Sequence, residues 1–278
     1  MLEPSESSLE SAAARFESEF ARAQAFVQEA ETDSALEAFG GCITWVEELL
    51  RSDPANPRLE RWLAISHASR AEVLSQTGQV PQALEAYAQA MALFEQARQR
   101  KGSSIPALSD LVRVQGKVLD VLMESGDRER ARSVARELEK LLESDGFVSG
   151  ETDLDVLEAR AVGHSEVGRY FQQWGPKRKA LWHQAHAVTL LEKALSCKPD
   201  DDFLHLNLAI TCLLCGQSQG RTAATPWFEK SYSLLKALQL RIELPPQGEQ
   251  VLEEVRRSLG WEPLYGREGP PSRVVQFR

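Results

Sequence analysis

An all-α chain of about eleven helices, joined as antiparallel pairs, is what this sequence predicts. Three observations carry that reading. Apolar residues recur at alternating steps of three and four through nearly every segment. Gly, Pro, Asp and Asn fall as short punctuation between those segments, and no stretch shows period-two alternation bounded by hairpin turns. Small residues also stand at fixed offsets from the glycine stops, as helix pairs require if they are to approach closely.

Ser7-x-x-Glu10 reads as a capping box, and Leu9, Ala13, Phe16, Phe20, Ala23, Val27 and Ala30 form the stripe of a first long helix. Thr32-Asp33-Ser34 caps a second, with Phe39, Ile43, Val46, Leu49 and Leu50 on its apolar face. Asp53-Pro54-Ala55-Asn56-Pro57 ends that helix and starts a third, which Gly78 stops. Pro81 opens a fourth carrying Leu84, Tyr87, Met91 and Phe94. Pro106 opens a fifth, Gly126 stops it, and Asp127 caps a sixth with Val134, Leu138, Leu141 and Leu142.

A polar linker follows, Ser144 to Gly150, and places a soft boundary near 144–151. Thr152-x-x-Asp155 caps a seventh helix that reaches Trp174. Gly175-Pro176 stops it and starts an eighth, which runs to about Cys197. Lys198-Pro199-Asp200-Asp201 turns into a ninth, ended by Gly216. Residues 216–225 read as loop, with Thr225-Pro226 capping the tenth helix, and Pro245-Pro246 separates an eleventh that ends at Gly260. The expected organisation is an acidic N-terminal helical pair over 1–52 that caps the stack, a repeat region over 53–260, and an extended tail over 261–278 containing Gly269-Pro270-Pro271.

The spacing repeats. Around Gly78, Ala71 lies before the stop, with Ala83, Tyr87 and Ala90 after it. Leu119, Ala131, Ala135 and Leu138 occupy the same offsets around Gly126. Ala187, Leu191 and Ala194 keep the rhythm in the eighth helix, and Ala209 takes it up before Gly216.

Charge narrows the function. The net charge is −9, and residues 1–60, with 13 acidic and 4 basic side chains, account for all of it. Such a chain lacks the field of Lys and Arg that nucleic acid or an anionic membrane surface needs. The start shows no basic leader before an apolar run, and the greasiest stretch, 203–215, falls short of the roughly 18 apolar residues of a membrane helix. A cytoplasmic protein is expected. Cys42, Cys197, Cys212 and Cys215 are too few for a disulfide framework in a chain of 278 residues, and reduced core thiols fit three of them.

Residues 65–94, above all Gly78-Gln-Val-Pro-Gln-Ala-Leu-Glu-Ala-Tyr-Ala-Gln-Ala-Met91, together with Leu190-Leu-Glu-Lys-Ala-Leu-Ser-Cys-Lys-Pro-Asp200, make the chain resemble the tetratricopeptide repeat family over about 33–240. The family's Trp-x-x-Leu-Gly is replaced by His67-x-x-Arg70-Ala71. The resemblance implies a right-handed solenoid of stacked helix pairs and a protein or peptide partner held in a groove lined by the first helix of each pair. Carried over by offset, that face holds Ile65, Ala68, Glu72 and Ser75, then Arg113, Gly116, Asp120 and Met123, then Phe203, Leu206, Ile210 and Leu213. The partner-binding set is Glu72, Arg113, Gly116, Lys117, Asp120 and Met123. The third set is too apolar for an open groove and is expected to lie under the last helices or the tail. Family members that grip the acidic tails of heat-shock chaperones use a lysine and an asparagine, and Ala68, Glu72, Gly116 and Asp120 stand there, so chaperone C-terminal tails do not fit.

Other constellations have plainer readings. Arg169, Lys177, Arg178 and Lys179 around a new helix start form a candidate anion-binding set, against the alternative of a solvated charged turn. His183-x-x-His186 with Cys212-x-x-Cys215 offers four zinc ligand types but no knuckle glycines, so surface histidines, core thiols and no metal are expected. Trp174, Trp182, Trp227 and Trp261 read as packing. No phosphate loop, nucleophile elbow, metalloprotease helix or dinucleotide fingerprint is present, so neither an enzyme nor a cofactor is expected. The leading reading is an interaction scaffold or adaptor. The alternative is a structural subunit of a larger assembly, contacting through the N-terminal helix, which could also form an oligomer seam, and through the tail.

Overall fold

Helix ends in this chain follow local chemistry closely. A computed structural model describes residues 6–100, 104–144 and 153–261. Among them are α1 (Glu6–Gln28), α2 (Thr32–Ser52), α3 (Pro57–Gln76), α4 (Val80–Arg98), α5 (Ser104–Glu124), α6 (Arg128–Leu142), α7 (Leu154–Trp174), α8 (Lys177–Cys197), α9 (Asp202–Gln217), α10 (Arg221–Gln239) and α11 (Pro246–Leu259), and no strand. Asn56 caps α3, its side-chain oxygen accepting from the Arg58 and Leu59 amides at 3.0 and 3.2 Å. Asp127, Asp153 and Asp201 cap α6, α7 and α9 in the same way. At the end of α3, Gly78 takes φ +77, and the Gln79 amide donates back to the Leu74 carbonyl at 2.9 Å. A side chain at that angle would strain the turn, which is why glycine stands there.

Two starts differ from expectation. α2 is entered through Ala30 at φ 59 and Glu31, with no side-chain cap from the Thr32-Asp33-Ser34 triplet. α10 begins at Arg221, so Pro226 lies inside the helix instead of capping it, and the expected loop is much shorter. The reason is packing. Ala224 and Phe228 bury into the core, the Thr225 hydroxyl bonds the Arg221 carbonyl at 3.2 Å, and a proline this near the N-terminus forfeits a single backbone bond. Thr152, the linker from 145 and the tail from 262 lie outside the described residues.

The chain divides into two compact units, Met1–Gly126 and Asp127–Arg278. In the first, α1 lays its stripe on α2 and α3. The Phe16 ring stacks on Trp62 at 4.8 Å between centroids, and Phe20 meets Phe39 edge-on at 5.4 Å. α3 and α4 form a tight hairpin, in which Ala71, Ala83, Tyr87 and Ala90 are 2% exposed or less. α5 packs next, on α4 and beside α3.

The second unit is built on the α7–α8 hairpin, with α6 on one side and α9 on the other. Gly168 permits that hairpin. A Cβ there would come within 2.7 Å of Gln184 Cγ and 3.4 Å of the Ala180 carbonyl oxygen. Leu206, Ile210 and Leu213 of α9 bury against Leu235 and Leu238 of α10 and Val251, Leu252 and Val255 of α11. Thus α10 and α11 cover the third apolar set, although Phe203 remains exposed. These helix pairs are tetratricopeptide-like in fold, with small residues on the seam and a positive-φ glycine after α3.

Removing the Phe16 ring (Phe16→Ala) is expected to cost about 3–5 kcal/mol in urea unfolding, because the ring is fully packed. Gly168→Ala is expected to cost about 0–2 kcal/mol net: overpacking takes about 1–3 and the gain in helix propensity returns about 1. A stabilised Gly168→Ala protein would show that Gln184 yields freely.

Candidate functional site

In the first unit, two helices each carry one mostly polar stripe. On α3 the stripe runs Arg61, Ile65, Ala68, Glu72, Ser75, and on α5 it runs Asp110, Arg113, Lys117, Asp120, Glu124, in steps of three and four. Asp110 is the buried root of its row. Arg61 Nε donates to Asp110 Oδ2 at 2.8 Å, and Arg113 Nη1 lies 3.5 Å from Asp110 Oδ1. Near the other end, Lys117 Nζ donates to Glu72 Oε1 at 2.6 Å. The lower residue of α3 pairs with the lower residue of α5, and the higher with the higher. The two helices therefore run parallel, as the first helices of successive hairpins must.

Beneath this face, Tyr87 is buried, and desolvation with the Glu72 and Asp120 carboxylates nearby pushes its phenol far above the ordinary value. Glu60 of α3 accepts from two nitrogens of Arg100, which fixes the segment after α4 onto α3. Of the residues assigned to partner binding, Glu72, Arg113, Lys117 and Asp120 stand on the stripe. Gly116 and Met123 do not: both are buried, Met123 at 7% exposure, because the open row of α5 steps from Arg113 to Lys117 and from Asp120 to Glu124, one residue past each.

The second unit contains a group that sequence spacing did not bring together. His164 of α7 and His183 of α8 are each 4% exposed, with their Nδ1 atoms 3.0 Å apart. His183 Nε2 lies 3.2 Å from Glu139 Oε1 on α6, which also accepts from Lys179 Nζ at 3.3 Å. A carboxylate only accepts, so the neutral His183 carries its proton on Nε2 and accepts at Nδ1 from His164 Nδ1–H. Phe171 stacks on His183 at 5.6 Å, His186 covers His164 at 4.8 Å, and Trp182, 55% exposed, stacks on His186 at 5.1 Å.

Burial is the largest influence on all three imidazoles. It holds His164 down to about 3, with the neighbouring His183, His186 and Arg160 acting in the same direction. His183 and His186 are lowered as well, His183 against the opposing pull of Glu139. The expected surface position of His183 is thus corrected: the residue sits inside the α6–α7–α8 packing, because Phe171 and the Gly168 approach close over it.

The candidate anion set does not converge. Arg169 is held by Glu166 at 2.8 Å, and Lys179 is held by Glu139 and lies over the Phe171 ring. Lys177 and Arg178 remain exposed at the start of α8. Cys212 and Cys215 lie in the core, where burial pushes Cys212 up to about 12 and Cys215 higher still. Among the described residues, no three His, Cys, Asp or Glu side chains are placed to hold a metal ion. The tryptophans separate: Trp182 joins the histidines, Trp174 meets Tyr170 and Trp261 meets Tyr232. No described helix is long and apolar enough to cross a membrane.

No protein-family model matches the chain, and no curated protein matches it either. Solved structures do. The chain is similar to BtubC from P. vanneervenii at 12% identity, over 88% of this chain and 97% of that one, with a TM-score of 0.48. It is also similar to the S. pombe nuclear import adaptor Nro1 at 12% identity, over 88% and 98%, with a TM-score of 0.36. A tetratricopeptide repeat protein from Parabacteroides merdae aligns at 12% identity, over 86% and 98%, with a TM-score of 0.31.

The histidine cluster makes stability depend on acid. Below the ordinary histidine value of 6.5 the unfolded chain takes up a proton that folded His164 refuses until about pH 3. The unfolded state then binds more protons, so stability falls with pH across that window by up to about 1.4 kcal/mol per pH unit for this side chain. His183 and His186 act in the same direction. Urea unfolding at pH 7, 6 and 5 is expected to show the decline, and His164→Phe is expected to flatten it. An identical slope in the variant would mean that His164 is protonated in the fold.

Proposed function

We propose that the chain is an interaction scaffold and that its first unit binds a peptide or protein partner across the parallel stripes of α3 and α5. One observation carries this reading: two cross-helix ion pairs, Arg61–Asp110 and Glu72–Lys117, bracket a half-exposed row that includes Arg113 and Asp120. The pairs hold charged groups in a fixed pattern on rigid helices. Ordering costs that a binding surface normally meets at the moment of association are thereby met in advance. Polar groups of both signs suit a partner recognised by charge pattern, with affinity weakened by salt.

The assembly-subunit reading has less support, because the apolar stripe of α1 is consumed against α2 and α3 and offers little seam to a second chain. That packing also supports α1 and α2 as an internal cap. A cytoplasmic setting agrees with the acidic composition.

A paired charge exchange tests the proposal. Glu72→Lys combined with Lys117→Glu keeps an ion pair and is expected to leave helicity and melting unchanged, while a partner captured by the wild-type chain from native lysate loses at least tenfold in affinity. Arg113→Glu with Asp120→Arg is expected to abolish capture. A partner retained by both variants would move the interface off this face.

A further inference from the structure

Two partly buried arginines of this chain are answered by acids, while Arg70, like Arg160, has a buried Nε without an acceptor. Arg100 meets Glu60 and Arg169 meets Glu166. Arg160, on the buried side of α7, is different. It is 9% exposed, its Nε–H is buried without an acceptor, and no described residue gives its guanidinium a hydrogen bond or an ion pair. A guanidinium removed from water without a counter-charge is strongly disfavoured, and folds normally supply an acid or keep the group outside.

Here the surroundings add positive charge instead. His164 stands at i+4 from Arg160 on the same face of α7, and His186 of α8 lies over it. Arg160 opposes protonation of both imidazoles, and Lys193, two turns beyond His186 on the same face of α8, opposes it at His186. Three acids of this region are engaged elsewhere: Glu166 with Arg169, Glu192 with Lys230, and Glu139 with Lys179 and His183. A guanidinium, two imidazoles and an ammonium thus gather from two helices.

We propose that Arg160 anchors an anion site in the second unit that takes a carboxylate, with His164, His186 and Lys193 beside it and exposed Trp182 as an apolar shelf. One buried permanent cation matches one monoanion, and the planar guanidinium fork matches a carboxylate in two parallel bonds. The stacked Trp182 ring suits the apolar carbons that a polypeptide carboxylate brings with it. The carboxylate belongs to an Asp or Glu side chain or to a chain terminus. This site is separate from the α3–α5 face and does not depend on the function assigned to it.

The test is a titration of the full ¹⁵N-labelled chain at constant ionic strength, following the Arg160 Nε–H signal and the His186 ring signals. Probes are acetate, N-acetyl-glutamate amide, a short peptide with a free or an amidated C-terminus, inorganic phosphate and chloride. Saturable shifts with carboxylates and none with chloride are expected. The amide derivative and the free-terminus peptide tell a side-chain source from a terminal one, and either result supports the site. Arg160→Met, which keeps the apolar stem, is expected to lose at least tenfold in carboxylate affinity and to melt at or above the wild-type temperature. Arg160→Lys keeps the charge without the fork and should bind with intermediate strength.

Three results would overturn the proposal: no saturable shift with any carboxylate, phosphate binding tenfold tighter than every carboxylate, or unchanged affinity in Arg160→Met. A melting temperature several degrees lower in Arg160→Met would mark the guanidinium as internal packing and overturn it too. If that variant does not fold, the wild-type titration and Arg160→Lys decide.

Discussion

Close approach of paired helices over small residues is the constraint on which the rest of this structure depends. Ala83 and Ala90 in α4, and Ala180, Ala187 and Ala194 in α8, recur at seven-residue steps and are completely buried. Each presents only a methyl group to the facing helix, so the axes can come near enough for larger neighbours such as Tyr87, Leu190 and Leu191 to interdigitate. Gly168 pushes the same logic further, to the point where a single added carbon would collide with Gln184. The close contact in turn requires that Gln184, fully buried, be satisfied, and it is: it donates to Gln172 at 3.0 Å and accepts from Ser218 at 2.7 Å.

Once the seam and the core have claimed their positions, little freedom remains for the first helices. α3 uses one face on α4 and another on α2, and a single narrow row stays outside. The charges on that row need partners, as does the buried Asp110 of α5 that the row faces. The cross-helix ion pairs answer that need. The polar face of the first unit is therefore a consequence of how tightly the hairpins pack, and its geometry is as rigid as they are.

Local signals made most of this legible in the sequence. Asn56, Asp127 and Asp201 announce helix starts through their own side chains, Gly78 and Gly126 announce stops through a backbone angle, and the alanine offsets announce the seam. Pro226 misled because its local preference for a helix start was overridden by burial of Ala224 and Phe228. The candidate site was half legible. The open row of α3 follows from offset alone, but on α5 a shift of one residue turns the helix by about 100° and exchanges Gly116 and Met123 for neighbours on the exposed row. The histidine cluster had no local signal at all, since Glu139 and His183 are brought together across 44 positions and His164 and His183 across 19.

Both units bury polar groups, of different kinds. In the first, two buried acids have arginine partners: Glu60 has Arg100, and Asp110 has Arg61. In the second, burial is the largest influence lowering three imidazoles, and Arg160 has no acid partner among the described residues. A neutral imidazole is inexpensive to bury when its nitrogens are bonded, as those of His183 are, so the cluster by itself is ordinary packing. The guanidinium is not, because it cannot shed its proton to escape the cost. Packing economy alone would place a Met or Leu at 160. The charge there is intelligible if the neighbourhood is complete only with an anion in it.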